Sequence, residues 1–317
     1  MYVETIKLYE DRDDVLLTTY VIGESGELHA QGKRPAVLIC PGGAYMACSD
    51  REAEPVALRF ASMGYHAFVL RYSTYDERGK YVVPFGGTVE PKEKIQHPQP
   101  MRDIGKAMVY IGEHEEEWMV DTKRIAVCGF SAGAHNAAMY SVYWNKPVIT
   151  EYLGVEAERI RPAAAILGYM MSDYLYGKER ADAGADELFA LSNTIFLGTP
   201  TPTDELLLEV SPARQVDQDT PPTFIWATCG DMLVPVRHSI LMANALAEQG
   251  IPFEIHIFEK GDHGLSMATQ ASAAAKSQLN PDVAKWTDLA EAWLEKRFAL
   301  ELPDLTDFEM GIMKKMF

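Results

Sequence analysis

The stretch Ile125-Ala126-Val127-Cys128-Gly129-Phe130-Ser131-Ala132-Gly133-Ala134-His135-Asn136-Ala137-Ala138-Met139-Tyr140 decides how the chain reads. Its first six residues form a continuous apolar run of strand length, the pattern of a strand buried on both faces. A helix of small apolar residues follows Ser131. Between them lies Gly129-Phe130-Ser131-Ala132-Gly133, a G-x-S-x-G sequence in the strand-turn-helix context that gives the motif meaning. The two glycines have a steric purpose, because neighbours with side chains would clash on so tight a turn. Such a turn lifts the serine hydroxyl clear of the sheet edge. It also sets the Ala132 N–H at a helix N-terminus, where it can face a developing oxyanion. A structural serine in a glycine-rich turn would carry the same pentapeptide, but the flanking strand and helix favour Ser131 as a nucleophile.

Outward from this turn, strand-like runs alternate with helical patterns. The runs 3–10 and 15–23 read as two strands separated by an acidic turn, Asp11-Arg12-Asp13-Asp14. The run Ala36–Cys40 is a buried strand that ends at Pro41-Gly42-Gly43. A helix is expected from about Arg51 to Gly64, whose glycine suits a C-terminal cap. Further strands are read at His66–Tyr72, Ala163–Gly168, Thr223–Cys229 and Phe253–Glu259. Helices are read from about Pro100 to Trp118, Val236 to Gln249 and Pro281 to Leu300. This alternation predicts a mostly parallel sheet with helices on both faces, and the first two strands add an antiparallel edge. The whole chain, 1–317, reads as one domain with insertions at 75–99 and 172–220. Both insertions follow the C-terminal ends of strands, the sheet edge where ligands bind. Long connections there are more often lids or binding loops than idle surface, though a plain surface insertion is the simpler alternative.

A serine nucleophile needs a base and an acid that orients the base. For this motif they follow in the order acid, then histidine. Asp231 in TFIWATCGD stands just past a strand and before a helix. It could equally be a helix-capping aspartate. Asp173, past the strand AAAILG, is a rival acid. His263 in EKGDHG lies in a loop after the last strand, between Gly261 and Gly264, which permit a tight turn. Of the other histidines, His66 and His256 fall within strands, His29 precedes the sheet core, and His114 sits among glutamates. His97 and His135 could line the pocket, and His238 lies on a helix. Asp262 is adjacent to His263 and reads as a turn residue. A second oxyanion donor is expected from Pro41-Gly42-Gly43-Ala44-Tyr45, with Gly43 the first candidate and Gly42 and Ala44 beside it. Tyr45, Phe130 and Tyr72 are candidates for shaping the substrate pocket, although aromatics near strand ends are commonly core.

Composition restricts the function classes. Lys and Arg total 29 against 46 Asp and Glu, a formal net charge of -17. That sign repels nucleic acid and anionic membranes and favours a neutral small-molecule substrate. Solubility alone would also explain it. The four cysteines lie mostly in strand-like runs and show neither a disulfide framework nor a zinc spacing. The start MYVETIKLYEDRDD has no signal-peptide pattern and no apolar run reaches bilayer length, so the expected compartment is the cytoplasm. The sequence leaves room for a homo-oligomer.

These features together resemble the esterase branch of the α/β-hydrolases over about Pro35 to Phe298. Within that branch the chain is most similar to bacterial acetylesterases of the acetyl-xylan-esterase-like kind. The residues that carry the resemblance are PGGAY with SDREAEPVALRFASMGYHAFVLRYS, HPQPMRDIGKAMVYI, GFSAGAH, SPARQV, CGDMLVPVRHS and GDHGLS. The resemblance implies an eight-stranded α/β-hydrolase sheet with small cap insertions. It also implies Ser-Asp-His catalysis without metal or cofactor, and hydrolysis of short-chain esters, typically acetyl groups on carbohydrate. Two departures stand out. Pro41 and Ala44 replace the ends of the His-Gly-Gly-Gly motif of hormone-sensitive-lipase-like relatives, and Ala134 replaces a glycine common after the elbow. Rival readings are a prolyl-oligopeptidase-like peptidase, a short-chain lipase and a non-catalytic binding protein of the same fold. The first lacks room for its extra domain, the second would need a more apolar lid than GKERADAGADE, and the third would lack part of the site.

Overall fold

The computed structural model describes residues 1–23, 25, 32–76, 89–182, 187–300 and 302–316. Among the described residues eight strands form one sheet: β1 (Thr5–Tyr9), β2 (Arg12–Tyr20), β3 (Arg34–Cys40), β4 (His66–Arg71), β5 (Val120–Phe130), β6 (Ala164–Gly168), β7 (Thr223–Thr228) and β8 (Phe253–Phe258). Their order across the sheet is β1-β2-β4-β3-β5-β6-β7-β8. β1 pairs with β2, and β2 with β4, in antiparallel fashion. Every other pairing is parallel.

The helices are α1 (Glu54–Ser62), α2 (Gln99–Glu113), α3 (Ala132–Tyr143), α4 (Pro147–Leu153), α5 (Tyr174–Asp182), α6 (Glu187–Leu197), α7 (Asp204–Glu209), α8 (Arg237–Glu248), α9 (Trp286–Phe298) and α10 (Asp307–Met316). Alternation along the central strands assigns them to two faces. Leu38, Val127, Leu167 and Ile225 pack with residues of α2, α3 and α8. Ile39, Ala126, Cys128, Ile166 and Trp226 pack with residues of α1 and α9 on the other face. Two-sided burial is why these strands read as unbroken apolar runs rather than as alternating ones.

Three expectations shift at their boundaries. The first turn is Glu10-Asp11, and Arg12, Asp13 and Asp14 belong to β2. Cross-strand pairing explains it, because Arg12 stands opposite Tyr9 and the Asp13 carboxylate pairs with Lys7 of β1. The helix read from Arg51 begins at Glu54, after a short 3-10 turn over Asp50–Glu52. The helix read to Trp118 ends at Glu113. The insertion 172–220 carries α5, α6 and α7, and residues 77–88 of the other insertion lie outside the described residues, as does His29.

The parallel register brings five strand ends to one edge. Cys40 stands beside Gly129, Phe130 beside Gly168, and Gly168 beside Trp226. The loops that leave β3, β5, β6, β7 and β8 therefore open side by side, and they carry Gly43, Ser131, Tyr169, Asp231 and His263.

Candidate active site

Ser131 occupies the turn between β5 and α3 with φ 53° and ψ −122°. A non-glycine residue at positive φ is strained and needs surrounding structure to hold it. Its N–H donates to Gly168 O at 3.0 Å, and its carbonyl accepts the N–H of His135 at 2.9 Å. A Cβ on Gly133 would overlap the carbonyl oxygens of Cys40 and Pro41, so the turn presses directly against the end of β3. Only glycine allows that approach.

His263 Nε2 lies 2.8 Å from Ser131 Oγ, and His263 Nδ1 lies 2.7 Å from Asp231 Oδ2. A carboxylate only accepts, so Nδ1 carries the hydrogen and Nε2 is left to accept the serine O–H. Asp231 is fixed in turn: its Oδ1 accepts the N–H groups of Leu233 at 2.9 Å and Val234 at 2.8 Å. The aspartate thus works both as the cap of the turn after β7 and as partner of the imidazole. Gly261 and Gly264, at φ 150° and 74°, make the tight loop that delivers His263. Tyr169 packs edge-on against the imidazole, with ring centroids 5.0 Å apart. This chain of bonds can draw a proton from Ser131 while the ring stays oriented.

The remaining acid and histidines are engaged elsewhere. Asp173 accepts from Arg214 Nε at 2.7 Å and from the Tyr176 N–H at 3.0 Å. Those contacts hold it away from the rival role. His66 Nδ1 accepts the Ile22 N–H, His97 bonds Glu209, His114 bonds the Tyr110 carbonyl, and His256 bonds Glu254. His238 is buried against Ser172.

The loop after β3 is held from beneath by Tyr72, whose O–H donates to Pro41 O at 2.8 Å. Among the described residues no backbone carbonyl takes the N–H of Gly43, Ala44 or Ala132. Gly42 differs from these, because its N–H donates to Glu52 Oε2 at 2.7 Å and is not available to a ligand. The other Glu52 oxygen accepts the Tyr169 O–H at 2.6 Å.

A cavity of about 60 Å³ opens at Ser131 and is lined by Ala44, Tyr45, Ala132, His135, Tyr174 and Phe189, among others. Tyr45 therefore does border it. Phe130 and Tyr72 do not. Phe130 points to the opposite side of the sheet, among Tyr169, Trp226 and Trp286, and Tyr72 lies under the loop. His135 forms the cavity's polar floor. Its Nε2–H donates to Val210 O at 2.8 Å, so its Nδ1 accepts the Tyr45 O–H at 2.6 Å. Burial pushes its pKa down to about 3, which keeps the ring neutral. Leu188, Phe189 and Ser192 come from α6 within the second insertion, and Leu233 and Val234 from the turn after Asp231. Reasoning from sequence missed Glu52, Tyr169, Tyr174 and Phe189. Glu52 looks like an ordinary first-turn acid in SDREAEP, and α6 carries no motif.

Residues 89–246 match the BD-FAE family model. An α/β-hydrolase enzyme from a Medee basin deep-sea metagenome library is 33% identical, with 93% of this chain and 97% of that chain covered and a TM-score of 0.67. The chain belongs to the α/β-hydrolase superfamily. The carboxylesterase Cest-2923 from Lactobacillus plantarum WCFS1 is 27% identical, with 96% of this chain and 100% of that chain covered and a TM-score of 0.77. An acetyl ester-xyloside bifunctional hydrolase from Caldicellulosiruptor lactoaceticus is 29% identical, covers 92% of this chain and 96% of its own, and superposes with a TM-score of 0.70. Endo-1,4-beta-xylanase B of Butyrivibrio fibrisolvens is 36% identical over 239 residues, 74% of this chain and 33% of that protein. The chain spans between a third and about half the length of the curated relatives it matches. Among the described residues no helix is long and apolar enough to cross a membrane.

Proposed function

We propose that this α/β-hydrolase is a serine esterase that cleaves short-chain carboxylic esters, acetyl groups on carbohydrate foremost. The observation that carries the reading is the unbroken chain Ser131–His263–Asp231 at the mouth of a small cavity. In the proposed reaction Ser131 Oγ attacks the ester carbonyl while its proton passes to His263 Nε2. Asp231 holds the tautomer and stabilises the imidazolium. The N–H groups of Ala132 and Gly43, with Ala44 beside them, receive the oxyanion. A donor of this kind contributes about 2.7–4 kcal/mol in the transition state. The alcohol leaves with the proton from Nε2. Water then attacks the acyl-serine, gives a proton to Nε2, and releases the acid and the free serine.

Cavity size supports a small acyl group. At about 60 Å³ it is less than half the ~150 Å³ of a cavity that accepts benzene. An acetyl group suits it. The relatives that act on xylosides or xylan and the net charge of -17 both favour a neutral sugar ester as the alcohol side. Measured acetate release from acetylated xylo- and manno-oligosaccharides should exceed release of butyrate or ferulate from matched esters. Faster release of ferulate would overturn the acyl assignment, and equal cleavage of an amide of the same acid would favour a peptidase.

A further inference from the structure

Glu52 is 4% exposed, yet among the described residues no Lys, Arg or His is ion-paired with it. A buried carboxylate held only by neutral donors is costly to fold around, so its contacts repay a close look. Its two oxygens serve two different loops of the site. Oε2 takes the N–H of Gly42 and Oε1 takes the O–H of Tyr169, at 2.7 and 2.6 Å. Gly42 is wedged between this carboxylate and the nucleophile. A Cβ there would stand 2.8 Å from Glu52 Oε2, 2.9 Å from Ser131 Cβ and 2.5 Å from Phe130 O.

The second link continues towards the base. Tyr169 Oη accepts the N–H of Ser266 at 3.1 Å, three residues beyond His263, while the Tyr169 ring lies against the imidazole. The Ser266 hydroxyl donates back to the carbonyl of Arg51, next to Glu52, at 2.6 Å. Tyr169 and Ser266 both sit at positive φ, 37° and 53°, without being glycine. Such backbones persist only where their surroundings over-determine them. Burial and the adjacent Glu52 raise the Tyr169 phenol well above its usual range, so the phenol stays a donor.

We infer that Glu52 is a positioning residue for the hydrolytic reaction, fixing through Gly42 the loop that presents the oxyanion donors and through Tyr169 the loop that presents His263. The inference rests on the esterase reading. Glu52 touches neither substrate nor reacting atoms. Its effect is on how accurately the other groups converge, and so on turnover more than on ground-state binding.

The test is Glu52→Gln in the full chain, with p-nitrophenyl acetate turnover expressed per active site titrated with a fluorophosphonate. An amide nitrogen cannot accept a hydrogen bond, so either the Gly42 N–H or the Tyr169 O–H loses its acceptor whichever way the side chain sits, and a bond to Tyr169 survives at best with its direction reversed. Complete removal of an oxyanion donor costs about 10²–10³ in kcat; loosening one should lower kcat at least about tenfold, with KM within about threefold. Tyr169→Phe keeps the ring and removes only the hydroxyl. It should lower kcat by a smaller factor, and the double variant should fall short of the product of the two losses. Should Glu52→Gln not fold, Tyr169→Phe alone decides. A kcat per titrated site within about twofold of wild type in the folded variants, or a loss confined to KM, overturns the inference while leaving the esterase reading intact. A wild-type protein that neither labels nor cleaves the ester overturns both.

Discussion

Replacing Asp231 with asparagine probes the site more sharply than deleting it, because the surroundings dictate how the amide must sit. Asp231 Oδ1 accepts two backbone N–H groups, from Leu233 and Val234, while Oδ2 faces His263 Nδ1. The Asp231 side chain is only 1% exposed, so water cannot replace a lost partner. In Asp231→Asn the carbonyl oxygen has to face the two N–H donors. The opposite orientation would leave both buried donors without an acceptor, at about 1–3 kcal/mol each. The NH₂ group then points at His263 Nδ1 and forces that nitrogen to accept. The hydrogen moves to Nε2, which faces Ser131 and can no longer take its proton. A wrong tautomer of this kind costs about 10⁴ in kcat, or about 5 kcal/mol at 1.36 kcal/mol per decade. The assay is p-nitrophenyl acetate hydrolysis, with far-UV circular dichroism to show that the variant is folded. A folded Asp231→Asn protein that keeps more than about a tenth of wild-type kcat would refute the assignment of Asp231 as the orienting acid.

Other consequences follow from the same contacts. Phe189→Ala should enlarge the cavity and shift preference from acetate towards butyrate by at least about tenfold in the ratio of kcat/KM; a chain-length series reads this, and an unchanged ratio would show that Phe189 does not bound the acyl site. Gly133→Ala should fold poorly or lose activity, since its Cβ meets the Cys40 and Pro41 carbonyls, and overpacking costs about 1–3 kcal/mol or more; wild-type melting and turnover would count against the packing described. Burial pushes the pKa of His66 and His238 down to about 4 and that of His135 to about 3. The unfolded value is about 6.5, so below it the unfolded chain takes up protons that the folded chain refuses. Their neutral burial therefore leaves stability intact above about pH 6.5 and lowers it as pH falls towards 4, by about 3 kcal/mol per histidine. Urea midpoints should drop steeply between pH 7 and 4.5, and a flat profile would contradict these environments.

The sheet was legible because its central strands are buried on both faces and so carry continuous apolar runs, as in Val37–Cys40 and Thr223–Thr228. Ser131 was legible because its backbone geometry demands glycines on both sides, a constraint written in sequence. Asp231 and His263 could be placed because each follows a strand and stands in a turn. Glu52 and Tyr169 left no such mark. Their significance is their mutual distance across loops from β3 and β6, and only the register of the sheet brings those loops together. Gly42 shows the same limit from the other side: a glycine loop announces free N–H groups but not which of them a neighbouring carboxylate has claimed. Tyr72 and Phe130 misled because an aromatic at a strand end can face either layer, and alternation sent Phe130 to the far one.

The central claim is that Ser131 is the nucleophile, activated by His263. Incubating the wild-type chain with a fluorophosphonate and mapping the adduct by mass spectrometry tests it most directly, alongside Ser131→Ala. Labelling should fall on Ser131 alone and extinguish p-nitrophenyl acetate turnover, and the alanine variant should neither label nor turn over. An adduct on another residue, or near-wild-type turnover by Ser131→Ala, would contradict the account.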